Sequence, residues 1–470
     1  MLLSTYYVST SGADGNAGTS EGAALRTIQR AADLVRAGDT VDVLAGDYAG
    51  FTVTADGTAS APITFAARPG AKVVSGTPGV SDIGIDLDHA SYVVIDGFAI
   101  DGPAFSAYIG VRSYGSASAY AVGDVIRGNT ISGVDYCGIL ASFQDHGSAL
   151  GNTISHDNRN GIYYGNSCVD SAIKGNVITD MGKHGVMLNG DASAGGIGLM
   201  LRMDVSGNTI ASTGTVAANG DGCGICALGV QDSLFADNLI TRAAYGGIRL
   251  DSTDAAGPAD HNTIANNTVS YARGCLNFRD GNDNAAFNNV LYTDSSWNAE
   301  TRSVIDNSSG NAYDYNAVVG PASGHDLSVG TGSPAGDLRG GFFVDWAGGD
   351  YHLAAASPAL DRGAAAFATR SAPAADIEGN PRPQGGGWDL GAFEGTGAPP
   401  PPDVTAPAIT AVAAASTSAS GTAFRVTWAT SEPADARVEM DAKMAAGYYT
   451  EEVVPDAAEL VLSKGRTLIE

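Results

Sequence analysis

The feature that most constrains the fold of this chain is a short motif that recurs along its middle. The motif is glycine or another small residue, then asparagine, then any residue, then isoleucine, valine or leucine. Its asparagines are Asn129, Asn152, Asn176, Asn208, Asn238, Asn267, Asn289 and, in a degraded last copy, Asn316. Successive asparagines are 22 to 32 residues apart, a period typical of folds whose repeats pack on one another.

A second short strand, opened by glycine, follows most of these asparagines. These glycines are Gly138, Gly161, Gly185, Gly224, Gly247 and Gly274. Apolar strands separated by Gly and Asn, without helical periodicity, predict the coils of a parallel β-helix, stacked about 4.8 Å apart. We expect the repeated asparagines to be structural, because their amides tolerate left-handed turns and bond to the stacked neighbour.

The N-terminal part of the chain has a different pattern. Between residues 21 and 37, Leu25, Ile28, Ala32 and Val35 recur at helical spacing. This spacing predicts an amphipathic helix that caps the open first coil, whose strand edges would otherwise be unpaired. The predicted fold class is therefore all-β, a solenoid with an N-terminal capping helix.

A run of prolines at 399–402 marks a domain boundary. We predict a β-helix domain over 1–396, a Pro-rich linker over 397–404 and a partial β-sandwich over 405–470. The last segment is too short for a complete sandwich, which takes about 100 residues. Its open edges predict pairing with further modules or with another chain.

Composition limits the partners of the chain. It has 25 Lys and Arg residues against 51 Asp and Glu residues, and a net charge of −26. Nucleic-acid binding depends on clustered basic residues, so we expect no nucleic-acid partner. No run of 18 or more apolar residues is present, which predicts no membrane-spanning segment.

The cysteines do not predict a metal site. There are five, so at least one has no partner within the chain. Cys223 and Cys226 form a CxxC pattern on a predicted strand, where residues three apart face opposite sides. We therefore expect them to be small buried hydrophobic residues, and we assign no metal ligand.

These patterns resemble a known group of proteins. The 6–9 opening, the helix with Thr27 and Ile28, the 38–41 strand and the stacked Asn-x-Ile coils resemble the secreted right-handed parallel β-helix proteins of the pectin-lyase-like superfamily. The segment 357–394 looks like the closing part of choice-of-anchor β-helix proteins, and the residues after it look like half of a fibronectin type III module. The resemblance implies a secreted or cell-surface bacterial protein from which a signal peptide has been removed.

The superfamily contains polysaccharide lyases, glycoside hydrolases and non-catalytic surface proteins, so the fold alone does not fix the function. We align the coils on the second-strand glycines to find residues on one outer face. As catalytic candidates the alignment gives Lys183, His184, Tyr245 and Arg249. As substrate-binding candidates it gives Arg159, Tyr163, Asn189, Asp251, Arg279 and Asp280.

Two reactions fit these residue types. Elimination from a uronic-acid polysaccharide needs a base and a cation that neutralises the carboxylate; Lys183, His184 or Tyr245 would be the base, and Arg249 with Arg279 the clamp. A glycoside hydrolase needs two carboxyl groups, for which Asp251 and Asp280 are candidates. Alternatively, the charged residues form only a salt-bridge ladder between coils.

The prediction for function is an extracellular bacterial β-helix protein that binds or cleaves polysaccharide, with uronan lyase chemistry leading. A non-catalytic adhesion or structural protein is the alternative, and a glycoside hydrolase the second one. The acidic loop 280–284 makes Ca²⁺ a candidate cofactor, since Ca²⁺ takes oxygen ligands.

Overall fold

The structure is a computed structural model. It describes residues 3–215, 222–270, 272, 274–292, 302–319 and 341–395, and six strands between 409 and 469. The chain divides into two compact units, 1–398 and 399–470. The predicted linker, 397–404, lies outside the described residues.

The first unit winds through three long parallel sheets, and each coil adds one strand to each sheet in turn. The first sheet consists of Thr5–Val8, Thr40–Val43, Ile63–Ala67, Val93–Asp96, Val125–Arg127, Ser148–Leu150, Ala172–Lys174, Asp204–Ser206, Leu234–Ala236, Thr263–Ala265, Ala285–Phe287 and Ala312–Asp314. The second consists of Gly46–Ala49, Ala71–Ser75, Ala99–Asp101, Thr130–Ser132, Thr153–Ser155, Val177–Met181, Thr209–Thr213, Leu239–Ala243, Thr268–Ser270, Val290–Tyr292 and Ala317–Val319. The third consists of Phe51–Val53, Ile83–Asp88, Ile109–Tyr114, Cys137–Ser142, Asn160–Gly165, Val186–Asn189, Cys223–Leu228, Gly246–Asp251, Gly274–Phe278 and Arg302–Asp306.

This arrangement is typical of a right-handed parallel β-helix and confirms the predicted all-β solenoid. The core is built from residues stacked in register, such as Ile131, Ile154 and Ile178 on successive strands of the second sheet. All three are fully buried. Among the described residues, no helix has the length and apolar character needed to cross a membrane.

The repeated asparagines form one continuous ladder inside the solenoid. Asn152 shows the pattern: its Nδ2 donates to Oδ1 of Asn176 at 2.9 Å and to the carbonyl of Ile126 at 2.9 Å. Its backbone N–H donates to the same Asn176 oxygen. The same side-chain bonds join every neighbouring pair from Asn129 to Asn316. The predicted stacking is confirmed.

The left-handed turn lies one residue earlier than we expected. The residue before each ladder asparagine has a positive φ, from 52° at Asp237 to 66° at Gly207. Glycine is favoured at this position because it has no Cβ to crowd the backbone. None of the ladder asparagines has a positive φ. Asn266 and Asn288 do, because each of them is the residue before a ladder asparagine.

The N-terminal helix is shorter than predicted. It covers only Ile28–Ala32, after a 3-10 turn at Glu21–Ala23. The backbone of Leu25 is already hydrogen-bonded to Tyr7 of the first strand and to Ser9 directly after it, so the helix begins after Thr27, whose side chain accepts from the Arg30 N–H. The helix packs on the first coil, and its role as a cap stays a prediction.

Residues 341–395 pack against the second sheet. Phe342, Leu390 and Ala392 are fully buried in a cluster with Val290 and Ala317 of that sheet. The segment contains the antiparallel pairs Phe343–Asp345 with Asp350–Leu353, and Ala366–Phe367 with Arg370–Ser371.

In the second unit, four strands form an antiparallel sheet: Ile409–Ser416, Ala423–Thr430, Glu459–Ser463 and Arg466–Ile469. Ala436–Arg437 pairs with Val453–Val454. The fibronectin type III assignment stays a prediction.

Candidate functional site

The strands of the third sheet share a local break that decides which side chains face outward. At Gly224, an added Cβ atom would lie 2.3 Å from Cγ2 of Ile240, so this position faces the core and holds no side chain. The next residue, Ile225, also belongs to the core. Because two consecutive residues face inward, the residue before the glycine and the second residue after it both face outward.

This break makes one prediction wrong. Cys223 and Cys226 lie on the same side of their strand, where they cluster with Met187 and Tyr245 outside the main core. Simple alternation along a strand would have separated them, but the inward pair Gly224 and Ile225 shifts the alternation by one residue.

Aromatic side chains occupy the N-terminal part of this outer face. The rings of Tyr108 and Tyr136 stack with their centroids 4.9 Å apart and an angle of 11° between planes. Tyr163 follows at 5.9 Å from Tyr136, and the Arg159 guanidinium lies over the Tyr136 ring at 5.6 Å. Asn189 donates to the Tyr163 hydroxyl at 2.8 Å. Three predicted substrate-binding residues, Arg159, Tyr163 and Asn189, thus meet here.

The hydroxyls of Tyr136 and Tyr163 stay protonated at neutral pH. Burial raises the pKa of Tyr136 and of Tyr163 above the ordinary value, because water no longer solvates the phenolate. Tyr108 is 40% exposed. The three rings form a platform with one open end, and we call Tyr108, Tyr136 and Tyr163 the tyrosine platform.

The middle of the face holds His184, which is only 2% exposed. Its Nδ1 accepts a hydrogen bond from the backbone N–H of Cys223 at 3.1 Å. One ring nitrogen and the Sγ atoms of Cys223 and Cys226 all lie within 4.8 Å of one another. This burial does not favour His184 as the base of a surface reaction. Lys183 is half-buried, and its backbone N–H bonds to the neighbouring coil at Arg159.

The C-terminal part of the face is ionic. Nη2 of Arg249 lies 2.5 Å from Oδ2 of Asp251, and Nε of Arg279, on the next coil, lies 3.7 Å from the same oxygen. Asp280 accepts from the Ser252 hydroxyl. The Arg249 guanidinium lies 5.7 Å from the ring centroid of Tyr245. We call Tyr245, Arg249, Asp251 and Arg279 the arginine cluster.

The charge state of Asp251 limits its chemistry. Burial acts to raise its pKa, but the bonds from Arg249 and from the Ser252 backbone outweigh burial and hold the pKa below its usual value. A carboxylate that stays ionised cannot be the general acid of a hydrolase. The arrangement matches the salt-bridge ladder that the sequence left open, with Arg279 at its exposed edge.

The sequence alignment of the coils placed Gly274 with the inward-facing glycines, but in the structure this coil is shifted by one residue. Gly274 pairs with Gly246, and Leu276 pairs with Ile248, so Cys275 occupies the position that glycine holds in the other coils. The predicted Ca²⁺ loop also has structural partners: Asn282 bonds to Asp260, and Asn284 bonds to Asn311 on the next coil. Ca²⁺ stays a prediction.

Sequence reasoning assigned no role to Tyr108 and Tyr136. Each of them stands two residues before a third-sheet glycine, Gly110 or Gly138, as Arg159 and Lys183 do. The alignment of the coils already places Tyr136 at this offset, and extending the alignment one coil back to Gly110 would have found Tyr108. It could not show that their rings stack on each other.

Comparisons with known proteins establish the fold. Residues 108–197 match the model of the NosD family, described as a periplasmic copper-binding protein. This match covers about a fifth of the chain. None of the curated protein sequences compared with the chain matches it.

Several solved structures are similar. The GH136 lacto-N-biosidase from Eubacterium ramulus has 15% identity and a TM-score of 0.50, over 67% of this chain and 67% of that one. A glycoside hydrolase has 10% identity and a TM-score of 0.50, over 68% of this chain and 97% of that one. Pectate lyase Pel9A has 16% identity and a TM-score of 0.48, over 84% and 97%. At these identities the likeness establishes the parallel β-helix and nothing finer.

Proposed function

We propose that this protein is a carbohydrate-active β-helix protein of the cell exterior that binds a uronic-acid polysaccharide along the outer face of its third sheet. The observation that carries the proposal is the order of side chains on that face. The tyrosine platform lies at one end and the arginine cluster at the other, on strands held in register. Solved β-helix structures similar in fold include carbohydrate-acting enzymes, which supports the same substrate class.

The two ends are spaced for a polymer. Five strand steps separate the strand that follows Tyr136 from the strand that precedes Arg279. At about 4.8 Å a step, the distance is about 24 Å, which several linked sugar rings would span. Tyrosine rings pack well against the apolar faces of sugars, and arginine forks bind carboxylates.

The overall charge sharpens the choice of substrate. A chain of net charge −26 repels a polyanion at long range. An acidic polymer therefore needs local cations, and Arg159 and Arg279 are exposed on this face. Binding should be held by these arginines together with stacking on the tyrosines.

Elimination is a second candidate activity, favoured by Tyr245 lying beside Arg249 with Arg279 on the next coil. The arginines would neutralise the uronate carboxylate, which makes the adjacent C5 proton more acidic. A base, for which Tyr245 is the candidate, would take that proton. The C5–H electrons would form the C4–C5 double bond, and the C4–O bond would break with its electrons going to the leaving oxygen, which takes a proton from water.

Binding can be tested by isothermal titration calorimetry with pectate and alginate, and with a neutral glucan as the reference polymer. We expect Tyr108→Ala and Arg279→Gln each to weaken binding of the acidic polymers about tenfold, or about 1.4 kcal/mol. Tyr7→Ala and Arg127→Gln are matched controls, since both residues belong to the first sheet. Equal losses in the controls, or equal binding of the neutral glucan, would contradict the proposal.

The elimination candidate has its own readout. The unsaturated product absorbs in the ultraviolet, and Tyr245→Phe should abolish that signal while binding remains. If binding is present and no acidic polymer yields the product, the protein binds without cleaving.

A further inference from the structure

Three side chains that metal ions favour as ligands meet on the outer face of the third sheet. One ring nitrogen of His184 and the Sγ atoms of Cys223 and Cys226 all lie within 4.8 Å of one another. We propose that these three residues bind one Cu(I) ion. The proposal does not depend on glycan binding, because it rests on other residues than the tyrosine platform and Arg279.

The backbone explains why these residues converge. His184 precedes Gly185 and Cys223 precedes Gly224, so both side chains take the outward position before the inward glycine on adjacent coils. Cys226 takes the outward position after it. On the following coil the equivalent residue is Gly246, and a Cβ atom added there would lie 3.6 Å from Sγ of Cys223. The absence of a side chain at Gly246 leaves room beside the sulfur.

The donor set and its burial favour Cu(I). Thiolate and imidazole donors suit Cu(I) and Zn²⁺, whereas carboxylate and carbonyl oxygens suit harder ions. Zn²⁺ takes four tetrahedral ligands, and where the protein gives three, water completes the set. Cys223 is fully buried, and His184 and Cys226 are 2% exposed, so the site is closed to water. Cu(I) is stable with three soft ligands.

Met187 supplies a further soft donor nearby. It pairs with Cys226 in the strand register and packs in the same cluster. A thioether binds Cu(I) and has little affinity for Zn²⁺. The presence of Met187 beside two thiols therefore favours Cu(I) over Zn²⁺, as the burial of the site does.

Charge on the neighbouring coil would stabilise the loaded site. Binding releases one proton from each thiol, so two thiolates and one Cu(I) carry a net charge of −1. Arg249 pairs with Cys226 in register, which places its guanidinium beside that charge. An arginine keeps its positive charge in proteins, so Arg249 would balance the net charge of the loaded site.

Loading would exchange one hydrogen bond. Nδ1 of His184 accepts the Cys223 N–H at 3.1 Å, so Nδ1 is the ring nitrogen that carries no proton. The ion would take the place of this bond. We therefore expect the Cys223 amide signal to shift in nuclear magnetic resonance spectra when Cu(I) is added.

The test is a titration of the reduced full-length chain with Cu(I) under anaerobic conditions, in competition with the chelator bicinchoninate. We expect one ion per chain, and a loss of at least about 100-fold in affinity in Cys223→Ser and in Cys226→Ser. Cys168→Ser and Cys275→Ser are matched controls, because both residues are buried thiols of the same solenoid. They should leave the affinity unchanged.

A variant that keeps only the two proposed cysteine ligands tests the site without changing any residue in it. The triple variant Cys137→Ser, Cys168→Ser, Cys275→Ser should still bind one Cu(I) and show Cu(I)-thiolate luminescence. The proposal is overturned if this variant, folded by circular dichroism, binds no Cu(I). It is also overturned if Zn²⁺ binds more tightly than Cu(I) in a matched competition, or if Cys223→Ser retains full affinity.

Discussion

At the scale of single residues, the asparagine ladder holds each coil to the next with buried amides. Asn176 donates from Nδ2 to Ala149 and Asn208, and its Oδ1 accepts from both the backbone and the side chain of Asn152. Replacing it leaves several buried polar groups without partners, each at a cost of about 1 to 3 kcal/mol. The ladder is thus stabilising only while it is complete.

We expect Asn176→Ala to lower the free energy of unfolding by about 4 kcal/mol, measured by urea titration of the full chain. Asn158→Ala is the control, because Asn158 is an exposed asparagine whose described side-chain bond reaches Asp135. It should cost less than about 0.5 kcal/mol. Equal losses in the two variants would show that the ladder contributes nothing special.

A second residue-scale prediction concerns a buried carboxyl group. Asp124 is 2% exposed, and burial raises its pKa from 3.8 to about 7, against bonds from the Val93 N–H and the Ser113 hydroxyl and with a small contribution from Asp56. The folded state therefore holds a proton that the unfolded state releases. The contribution of Asp124 to stability is full below pH 4 and is lost as the pH rises to about 7.

We expect Asp124→Asn to match the wild type at about pH 4 and to be more stable at about pH 8, by up to about 4 kcal/mol. Chemical unfolding at the two pH values measures the difference. Asp82→Asn, at an exposed position, should follow the wild type at both. A variant curve parallel to that of the wild type would refute the buried proton.

At the scale of elements, one buried arginine adds an ionic link between the segment 341–395 and the solenoid. The side chain of Arg382 is fully buried, and its guanidinium lies 2.8 Å from Asp237 of the solenoid and 2.8 Å from Glu394 of its own segment. It also donates to the Gly391 carbonyl. Asp237 is one of the residues that replace glycine before a ladder asparagine. Asp237, which stands where most coils have glycine, is therefore one of the residues that attach the segment to the solenoid.

Arg382→Gln should cost about 3 to 5 kcal/mol, because it leaves two buried carboxyl groups without their cation. We expect limited proteolysis to cut within 341–395 much faster than in the wild type. Arg362→Gln changes an exposed arginine of the same segment and should not alter the cleavage rate. If both variants are cut alike, Arg382 does not anchor the segment.

The elements also show what the sequence could predict. The series from Asn129 to Asn316 predicted the stacked coils, because a repeated residue on a solenoid must recur in register. The helix was predicted too long, since Leu25 has helical spacing but its backbone groups are hydrogen-bonded to Tyr7 and Ser9. We predicted that Cys223 and Cys226 face opposite sides of their strand, because we assumed regular alternation through Gly224. The charged residues of the outer face allowed either a substrate clamp or a salt-bridge ladder, and the contacts of Arg249 and Arg279 with Asp251 match the ladder. The stacking of Tyr108 on Tyr136 could not be predicted, because it depends on side-chain conformation and not on the repeat.

At the scale of the whole molecule, net charge and local charge act in opposite directions. The chain has a net charge of −26, so its acidic groups repel one another. The proposed glycan site uses arginines to attract a polyanion. Salt screens both interactions, with a Debye length of about 30 Å at 0.01 M and about 8 Å at 0.15 M.

We therefore expect added salt to raise the melting temperature of the protein while it weakens the binding of acidic polysaccharide. Differential scanning calorimetry and titration calorimetry at the two salt concentrations measure the two effects. Binding of an acidic polymer that does not respond to salt would remove the role given to Arg159 and Arg279.

The ladder fixes each coil at one corner and leaves the chain between corners free to be 22 residues long in one coil and 32 in another. Successive coils are therefore evenly spaced along the solenoid axis. Side chains at equivalent positions on successive coils keep this constant spacing, whatever their chemistry. The tyrosine platform, the proposed Cu(I) site and the arginine cluster can thus change independently along the same axis without altering the spacing that the proposed polymeric partner would meet.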